Sequence, residues 1–460
     1  MENKIKISRF LPLLLASAGF MQMLDATILN TALPSIAKDL SVSPLRMQMV
    51  IISYSLTMAL IMPLSGYLSD RFGTRKLFIF SLFFFTLGSL LCALSSSLSL
   101  LICSRIIQGL GGAMLLPIQR LVLLRAYSKQ ELLDKLNLVV IPALLGPILG
   151  PVIGGYLCEY ASWQWIFLVN LPFGIVGIIA ACKIMPNFLA EKLPSLDKLG
   201  FVFFSLSVLF LTLSAEIAVR PERIIYAAII FTVGISFFIF YWRHSYLYPD
   251  ALFPINLLQI RSYRIGLIGN LFARISMSAV PFLLPLMLQL VFNFSPSQSG
   301  NVLLFLALGN LFAKMFAQKI LQKIGYRSLL IWNTRLIGLF IIFFGLLPLN
   351  FPTILIFFLT FILGILHSMQ FLAMNTITLS RLRSHQTAPG TNLVVVNQQL
   401  AVTFSVAIAA IFLNFFRSFE NLTALNCFHY SFLVLGIMEI FSSFIFSFLH
   451  KLDGRELIKI

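Results

Sequence analysis

The amino-acid sequence predicts an all-α polytopic membrane protein of about fourteen spans, and three observations carry that prediction. First, 59% of the 460 residues are hydrophobic, only 11% are charged, 46 are Phe, and the mean hydropathy is +0.95. A water-soluble chain needs more polar surface than this to cover its core, so lipid is the implied solvent. Second, apolar runs long enough to cross a bilayer recur along the chain. Third, the basic residues fall in short clusters between those runs.

About 20 mainly apolar residues span the hydrocarbon as a helix. By that measure spans are predicted near residues 10–32, 47–68, 77–96, 99–120, 137–158 and 165–184. A central pair follows near 199–215 and 224–242, then six more near 265–291, 299–320, 329–348, 353–378, 391–414 and 429–449. The first run follows Lys4, Lys6 and Arg9, and Ala16-Ser17-Ala18 has the small-residue pattern of a signal-peptidase site. Its apolar pattern nevertheless continues to about Leu33, so it is read as a span rather than a cleaved signal.

With the amino terminus inside, about 25 of the 33 Lys and Arg fall in inner loops and tails, against 5 in outer loops and 3 inside spans. The inner set includes Lys192, Lys451, Arg455 and Lys459, the outer set Arg220; the intramembrane three are Arg105, Arg274 and Arg335. An odd span count would scramble this alternation. The formal charge of +17 therefore reads as topology rather than as a nucleic-acid-binding face. Cys92, Cys103, Cys158, Cys182 and Cys427 lack metal-ligand spacing and are expected to be buried free thiols.

The chain also repeats. Ser43-Pro44 followed by Gly73-x-Arg75 recurs as Ser295-Pro296 followed by Gly325-x-Arg327, at an offset of 252 residues. Parallel repeats are a building plan of secondary transporters. Two six-helix halves alone need a shorter offset, so the excess fits an inserted helix pair. The expected organisation is a six-helix bundle over 1–190, an inserted pair and inner linker over 191–260, and a second six-helix bundle over 261–460.

The sharpest local signal is Gly66-Tyr67-Leu68-Ser69-Asp70-Arg71-Phe72-Gly73-Thr74-Arg75-Lys76. Its glycines permit a tight turn between two helices, and Arg71, Arg75 and Lys76 are partners that can make or break ion pairs. The stretch resembles the signature loop of the major facilitator superfamily. The resemblance implies that superfamily's fold and a conformational latch built on Gly66, Asp70, Arg71, Gly73 and Arg75. In the second copy Gln322 stands in the place of Asp70.

Within the first span lies Asp25, about 10 Å from the outer end at 1.5 Å per residue, and Arg105 of the fourth span falls at a similar depth. An intramembrane carboxylate is expensive and is by default a functional group. Burial favours the neutral acid and a nearby Arg the carboxylate, so a small helix movement can switch proton uptake. A static structural ion pair is the competing reading. Leu24-Asp25-Ala26-Thr27 and Arg105-Ile106-Ile107-Gln108-Gly109-Leu110-Gly111-Gly112-Ala113 resemble the first- and fourth-helix motifs of drug/proton antiporters.

The fifth span holds Gly146-Pro147-Ile148-Leu149-Gly150-Pro151-Val152-Ile153-Gly154-Gly155. Small residues four apart let helices approach closely, and the prolines bend the helix and free carbonyls. The run resembles the antiporter motif of exporters, with a plain packing face as the alternative. The string Ala161-Ser162-Trp163-Gln164-Trp165 through Asn170-Leu171-Pro172 is similar to the fourteen-span EmrB/QacA-type drug/proton antiporters, and most of the chain resembles their MdtD-type members.

That resemblance implies a proton-driven exporter of small organic or amphipathic compounds in a bacterial inner membrane, with both termini cytoplasmic and no cofactor. Whether an envelope partner protein takes part stays open. A dedicated exporter of an organic acid or siderophore-like anion is the alternative. Arg274, His367, Gln370, Asn375 and Gln398 are candidate cavity residues, with interhelical hydrogen bonding as the competing role for Asn375 and Gln398. Glu439 of the last span is either a second proton carrier or a packing residue. No nucleotide-binding signature and no catalytic or zinc-binding constellation is found on the spans, which argues against an enzyme or an ATP-driven pump.

Overall fold

The computed structural model describes residues 7–190, 193, 195–219, 221–248, 251–450, 452–454 and 457. Lys4, Lys6, Lys192, Arg220, Lys451, Arg455 and Lys459, all assigned to loops and tails, lie outside the described residues. Among the described residues, thirteen helices are long and apolar enough to cross a membrane, and a bent pair brings the number to fourteen. They are α1 (Leu11–Thr31), α2 (Pro44–Phe72), α3 (Thr74–Ala93), α4 (Leu98–Ala126), α5 (Gln130–Tyr160), α6 (Trp165–Ile184), α7 (Lys198–Ala218) and α8 (Ile224–Leu247). There follow α9 (Arg261–Leu290), the bent α10 (Pro296–Ala313 with Ala317–Ile324), α11 (Tyr326–Phe344), α12 (Thr353–Leu379), α13 (Gln386–Arg417) and α14 (Ala424–Ser447). Helices are the form required here, because hydrocarbon offers no partner to a backbone N–H or C=O left open.

The chain divides into two compact units, residues 1–196 with 295–301, and residues 197–294 with 302–460. In the first, α1 packs along α5, α3 along α4 and α6, and α2 on α4. The second repeats the plan: α9 packs along α13, and α11 along α12 and α14. The central pair α7 and α8 pack on each other, and α7 rests on α13. That pair therefore groups with the second unit. Most of α8 faces outward, with Ile225 72%, Ile229 57% and Phe240 52% exposed. A face of that composition needs lipid to cover it.

The repeat holds down to the backbone. Gly73 and Gly325 both take positive φ, 86° and 80°, and each ends one helix and begins the next. Each has ψ near 150–160°, a region essentially reserved to glycine. Before each turn the helix is interrupted, at Met62–Leu64 in α2 and between Ala313 and Ala317 in α10. These breaks are related by the same 252-residue offset. The sequence predicts one continuous span near 299–320; the structure instead bends there by 61°. Pro63 accounts for the first break, but the second has no proline. There the segment Ala317–Ile324 buries Ala317 and Leu321 in a core with Tyr326 and Leu330, while Gln318, Lys319 and Lys323 face out. Amphipathic docking, rather than a missing backbone donor, turns the chain at that point.

The aromatic residues divide as expected between packing and outer surface: Phe78, Phe85, Phe282 and Phe432 are fully buried, whereas Phe80, Phe358 and Phe441 are about half exposed or more. The cysteines depart from expectation in part. All five are free, but Cys103 and Cys182 lie on outward faces of α4 and α6. Apolar residues on a lipid-facing helix gain nothing by turning inward, so an apolar run does not imply burial inside protein.

The two turn glycines give a paired prediction. A Cβ at Gly325 meets nothing within 4 Å, whereas at Gly73 it would strike the Asn187 side chain. Gly325→Ala is expected to cost about 1–3 kcal/mol from backbone strain alone, and Gly73→Ala more. Thermal unfolding of the two purified variants in detergent checks the order; equal or reversed losses would contradict it.

Candidate functional site

The site in the first unit is assembled from five helices around one carboxylate. Asp25 projects from α1 with its side chain fully buried, and Arg105 reaches it from α4, Nη1 to Oδ2 2.7 Å. The other carboxylate oxygen, Oδ1, accepts hydrogen bonds from the Gln108 amide at 2.7 Å and the Asn170 amide of α6 at 3.0 Å. Both amides also donate to Ser89 Oγ of α3, at 2.7 and 3.2 Å. Arg105 in turn donates to Gln108 Oε1 at 2.7 Å and to the Val50 carbonyl of α2 at 3.4 Å. Its guanidinium lies 4.1 Å over the Tyr54 ring and 5.9 Å from that of Phe167.

Close approach is what makes this possible, and small residues supply it. A Cβ at Gly88 would run into the backbone of Gln108, so α3 meets α4 there and Ser89 falls against the Gln108 amide. Gly109 and Gly112 face Thr57 and Tyr54 of α2, and Gly111 faces Phe85 of α3. The glycines of the fourth-helix motif are thus contact points with α2 and α3, while Arg105 and Gln108, three apart on one face, point to α1.

The fifth-helix glycines have an equally definite place. Gly146 lies against Met23 and Leu24, Gly150 against Thr27, and Gly154 against Ile28, so their four-residue spacing runs along α1 past Asp25. Gly155 instead meets Pro296, in the 295–301 segment that groups with this unit. Thr27 and Thr31 donate to the carbonyls of Gly146 and Pro151, at 3.4 and 3.1 Å. Pro147 and Pro151 are interior residues of α5, with Pro142.

At the turn between α2 and α3, Asp70 pairs with Arg125 at the end of α4, 2.8 Å, with both side chains partly exposed. Arg71 donates to Tyr67 Oη at 3.2 Å and lies over the Phe72 ring. The segment after α6 is strapped to the same turn: Thr74 donates to the Pro186 carbonyl at 2.8 Å and accepts from Phe188 N–H at 2.9 Å. The backbone N–H of Arg75 points to Asn187 Oδ1 at 3.4 Å. A Cβ at Gly66 meets nothing within 4 Å.

In the second unit three of the candidate cavity residues come together. Arg274 Nε donates to Asn270 Oδ1 at 3.0 Å, Asn270 donates to Asn375 Oδ1 at 3.3 Å, and Gln398 donates to the same oxygen at 2.7 Å. The guanidinium lies 4.9 Å over the Phe371 ring, and its Nη2 is buried without a hydrogen-bond partner among the described residues. His367 is buried, and its Nε2 has no hydrogen-bond partner among the described residues. Gln370 lies apart from this group: its amide accepts from Asn333 at 2.9 Å and donates to Thr334 at 2.6 Å, joining α12 to α11.

Gln108, Asn170, Ser89, Tyr54 and Arg125 were not singled out from the sequence. Gln108 had a signal in its i+3 spacing from Arg105, and Asn170 in being an amide inside an apolar run. Ser89 and Arg125 carried none, a small hydroxyl and a loop-proximal base being common.

Two bundles of paired helices, repeated in tandem and holding buried ionisable groups at mid-span, define a polytopic helical transport protein. The Major Facilitator Superfamily profile matches residues 15–258 and 266–458, and the chain belongs to this superfamily. It is 40% identical over 407 residues to "Putative multidrug resistance protein MdtD" of Pectobacterium carotovorum subsp. carotovorum, covering 88% of this chain and 86% of that protein. It is 38% identical over 451 residues to "Probable transport protein HsrA" of Haemophilus influenzae, covering 96% of each. Among solved structures, a peptide transporter crystallised with sulfate superposes with a TM-score of 0.69 at 16% identity, over 98% of this chain and 95% of the other. A D-xylose–proton symporter gives 0.67 at 14% identity, over 96% and 98%. The protein is a multi-pass membrane transporter rather than an enzyme.

The Asp70–Arg125 pair is testable by a double-mutant cycle. Asp70→Asn and Arg125→Gln are expected to couple by about 0.2–1 kcal/mol in unfolding free energy, the range of partly exposed pairs. Additive losses would show that the contact contributes nothing.

Proposed function

We propose that the chain is a proton-coupled secondary exporter of small organic or amphipathic compounds, of multidrug type, working by alternating access between its two six-helix halves. The Asp25 site carries this reading. Its carboxylate has three donors from two helices, an arrangement sensitive to small helix displacements. When Arg105 and the two amides surround it, the ionised form is the one supported. If α1 moves relative to α4, the carboxylate loses its cation and proton uptake becomes the way to remove a buried charge. Protonation then releases Arg105 in turn.

In this reading Asp25 carries the proton and Arg105 tunes it, with Gln108 and Asn170 holding the carboxylate in place. The glycines of α5 keep α1 closely packed while it moves. Asp70 and Arg125, with Gly66, Arg71, Gly73 and Arg75 around them, form the latch of the α2–α3 turn. Arg274, Asn375 and Gln398, with His367, face the substrate path; Gln370 is assigned to helix packing. The domains are taken as 1–190, 191–260 and 261–460, and both termini are placed in the cytoplasm of a bacterial cell by the excess of basic residues in the inner loops. The names of the MdtD relatives support a multidrug cargo, and the proton gradient supplies the energy.

The test is transport of a cationic dye, ethidium, by the purified protein in proteoliposomes with an acidic lumen. Wild-type protein is expected to accumulate dye until a protonophore is added, and Asp25→Asn to fall to the protein-free background. Wild-type rates in Asp25→Asn would overturn the coupling role.

One observation favours a second cargo, an organic anion: the Arg274 guanidinium leaves Nη2 unpartnered and, among the described residues, forms no ion pair. A buried cation of this kind is stabilised by a bound carboxylate. If that reading holds, a panel of radiolabelled organic acids is transported, Arg274→Gln loses at least tenfold of that transport (about 1.4 kcal/mol), and ethidium is not moved. Ethidium transport with no organic acid moved would reject it.

A further inference from the structure

The second unit contains a carboxyl that the Asp25 site does not use. Glu439 lies within α14 with none of its surface exposed, and among the described residues neither carboxyl oxygen has a partner within hydrogen-bond distance. The Ser276 hydroxyl of α9 faces it and is itself buried without a partner. The cations on neighbouring helices are engaged elsewhere. Arg335 of α11 donates to Ser443 at 3.2 Å and lies over the Trp332 and Phe444 rings. Arg274 of α9 is turned to Asn270 and Phe371, and Arg417 sits at the far end of α13. None of these forms an ion pair with Glu439 among the described residues.

The repeat explains the missing cation. The pair α9 and α14 packs as α1 and α6 do. In the first unit the acid stands on the first member of the pair, Asp25, and the second answers with Asn170. In the second unit the acid stands on the second member, and the first answers with Ser276. The cation of the first site comes from α4; its counterpart α12 contains no Lys or Arg. A carboxylate taken out of water with no cation beside it is among the most costly groups a membrane interior can hold. The neutral acid is the form these surroundings accommodate.

We propose that Glu439 is a second proton-binding site of this transporter, occupied by a proton when α9, α11 and α14 are packed as here, facing the Ser276 hydroxyl and exchanging its proton with water when that packing opens. The crossing of α11 and α14 lies one turn away, where Gly338 and Gly436 each face the other's carbonyl. Sliding at that glycine contact would open the carboxyl to water. The two acids would then be complementary in the same fold, one held ionised by a cation, the other held neutral by the lack of one.

The experiment needs no cargo and is therefore independent of the exporter reading. Wild-type protein in liposomes is treated with dicyclohexylcarbodiimide, to which a protonated carboxyl gives up its proton and adds, leaving an acylurea on the side chain. Labelled peptides are quantified by mass spectrometry from mildly acidic to alkaline pH. Glu439 is expected to be labelled at neutral pH and to lose the label as pH rises, while Asp25 stays unlabelled. In parallel, the infrared carbonyl band of a protonated carboxyl should disappear in Glu439→Gln, titrate reversibly in wild type, and persist in Asp25→Asn. An unlabelled Glu439, a band unchanged by Glu439→Gln, or a band that never titrates would each overturn the proposal. If Glu439→Gln fails to fold, labelling of the wild-type chain decides alone.

Discussion

A carboxylate inside a membrane-spanning bundle has no water to fall back on, and in the first unit the Asp25–Arg105 contact at 2.7 Å determines how the helices are arranged. Two such charges are stable there only when paired closely and with their remaining hydrogen-bonding capacity filled. That demand reaches outward through Gln108, Asn170, Ser89 and the Val50 carbonyl, so that α1, α2, α3 and α6 each contribute a group and α4 contributes two. Removing either charge would leave the other buried and uncompensated, at a cost of about 3–5 kcal/mol. The glycines follow from the same demand. Hydrogen bonds under 3 Å between side chains of neighbouring helices require backbones in close contact, and Gly88, Gly109, Gly146 and Gly150 remove the atoms that would hold them apart.

The fold was largely legible in the sequence because lipid imposes simple rules. Span length follows from bilayer thickness, and the basic clusters alternate with the spans. The 252-residue repeat was equally readable, since turns of positive φ leave glycine little competition, as Gly73 and Gly325 show. What escaped were features set by packing. The bend of α10 has no proline to announce it and depends on where Ala317 and Leu321 find a core. The outward faces of Cys103 and Cys182 were hidden for a related reason: in lipid, an apolar sequence does not say which side of the helix meets protein.

The site was legible in its charges and illegible in its amides and hydroxyls. Asp25 and Arg105 stand out because a charge in an apolar run has few explanations. Gln108 and Asn170 do not, since an amide can serve equally in packing between helices, as Gln370 does with Asn333 and Thr334. The two units also diverge where the repeat would suggest likeness. Pairing of helices is preserved, but the acid changes its helix and the cation is lost, leaving Glu439 without the partner that Asp25 has.

By itself the sequence determined that this is a many-span helical membrane protein in two related halves with a pair of helices inserted, and which buried residues carry charge. Those properties depend on composition, length and spacing, all of which act locally or along one helix. Only the tertiary structure decided which polar groups meet: that Asp70 pairs with Arg125, that Asn375 joins Gln398 to the Arg274 group, and that Glu439 has no ion-pair partner among the described residues. Partners of that kind come from helices far apart in the chain. Their meeting depends on rotation and depth within the bundle, which close packing selects and no single span records.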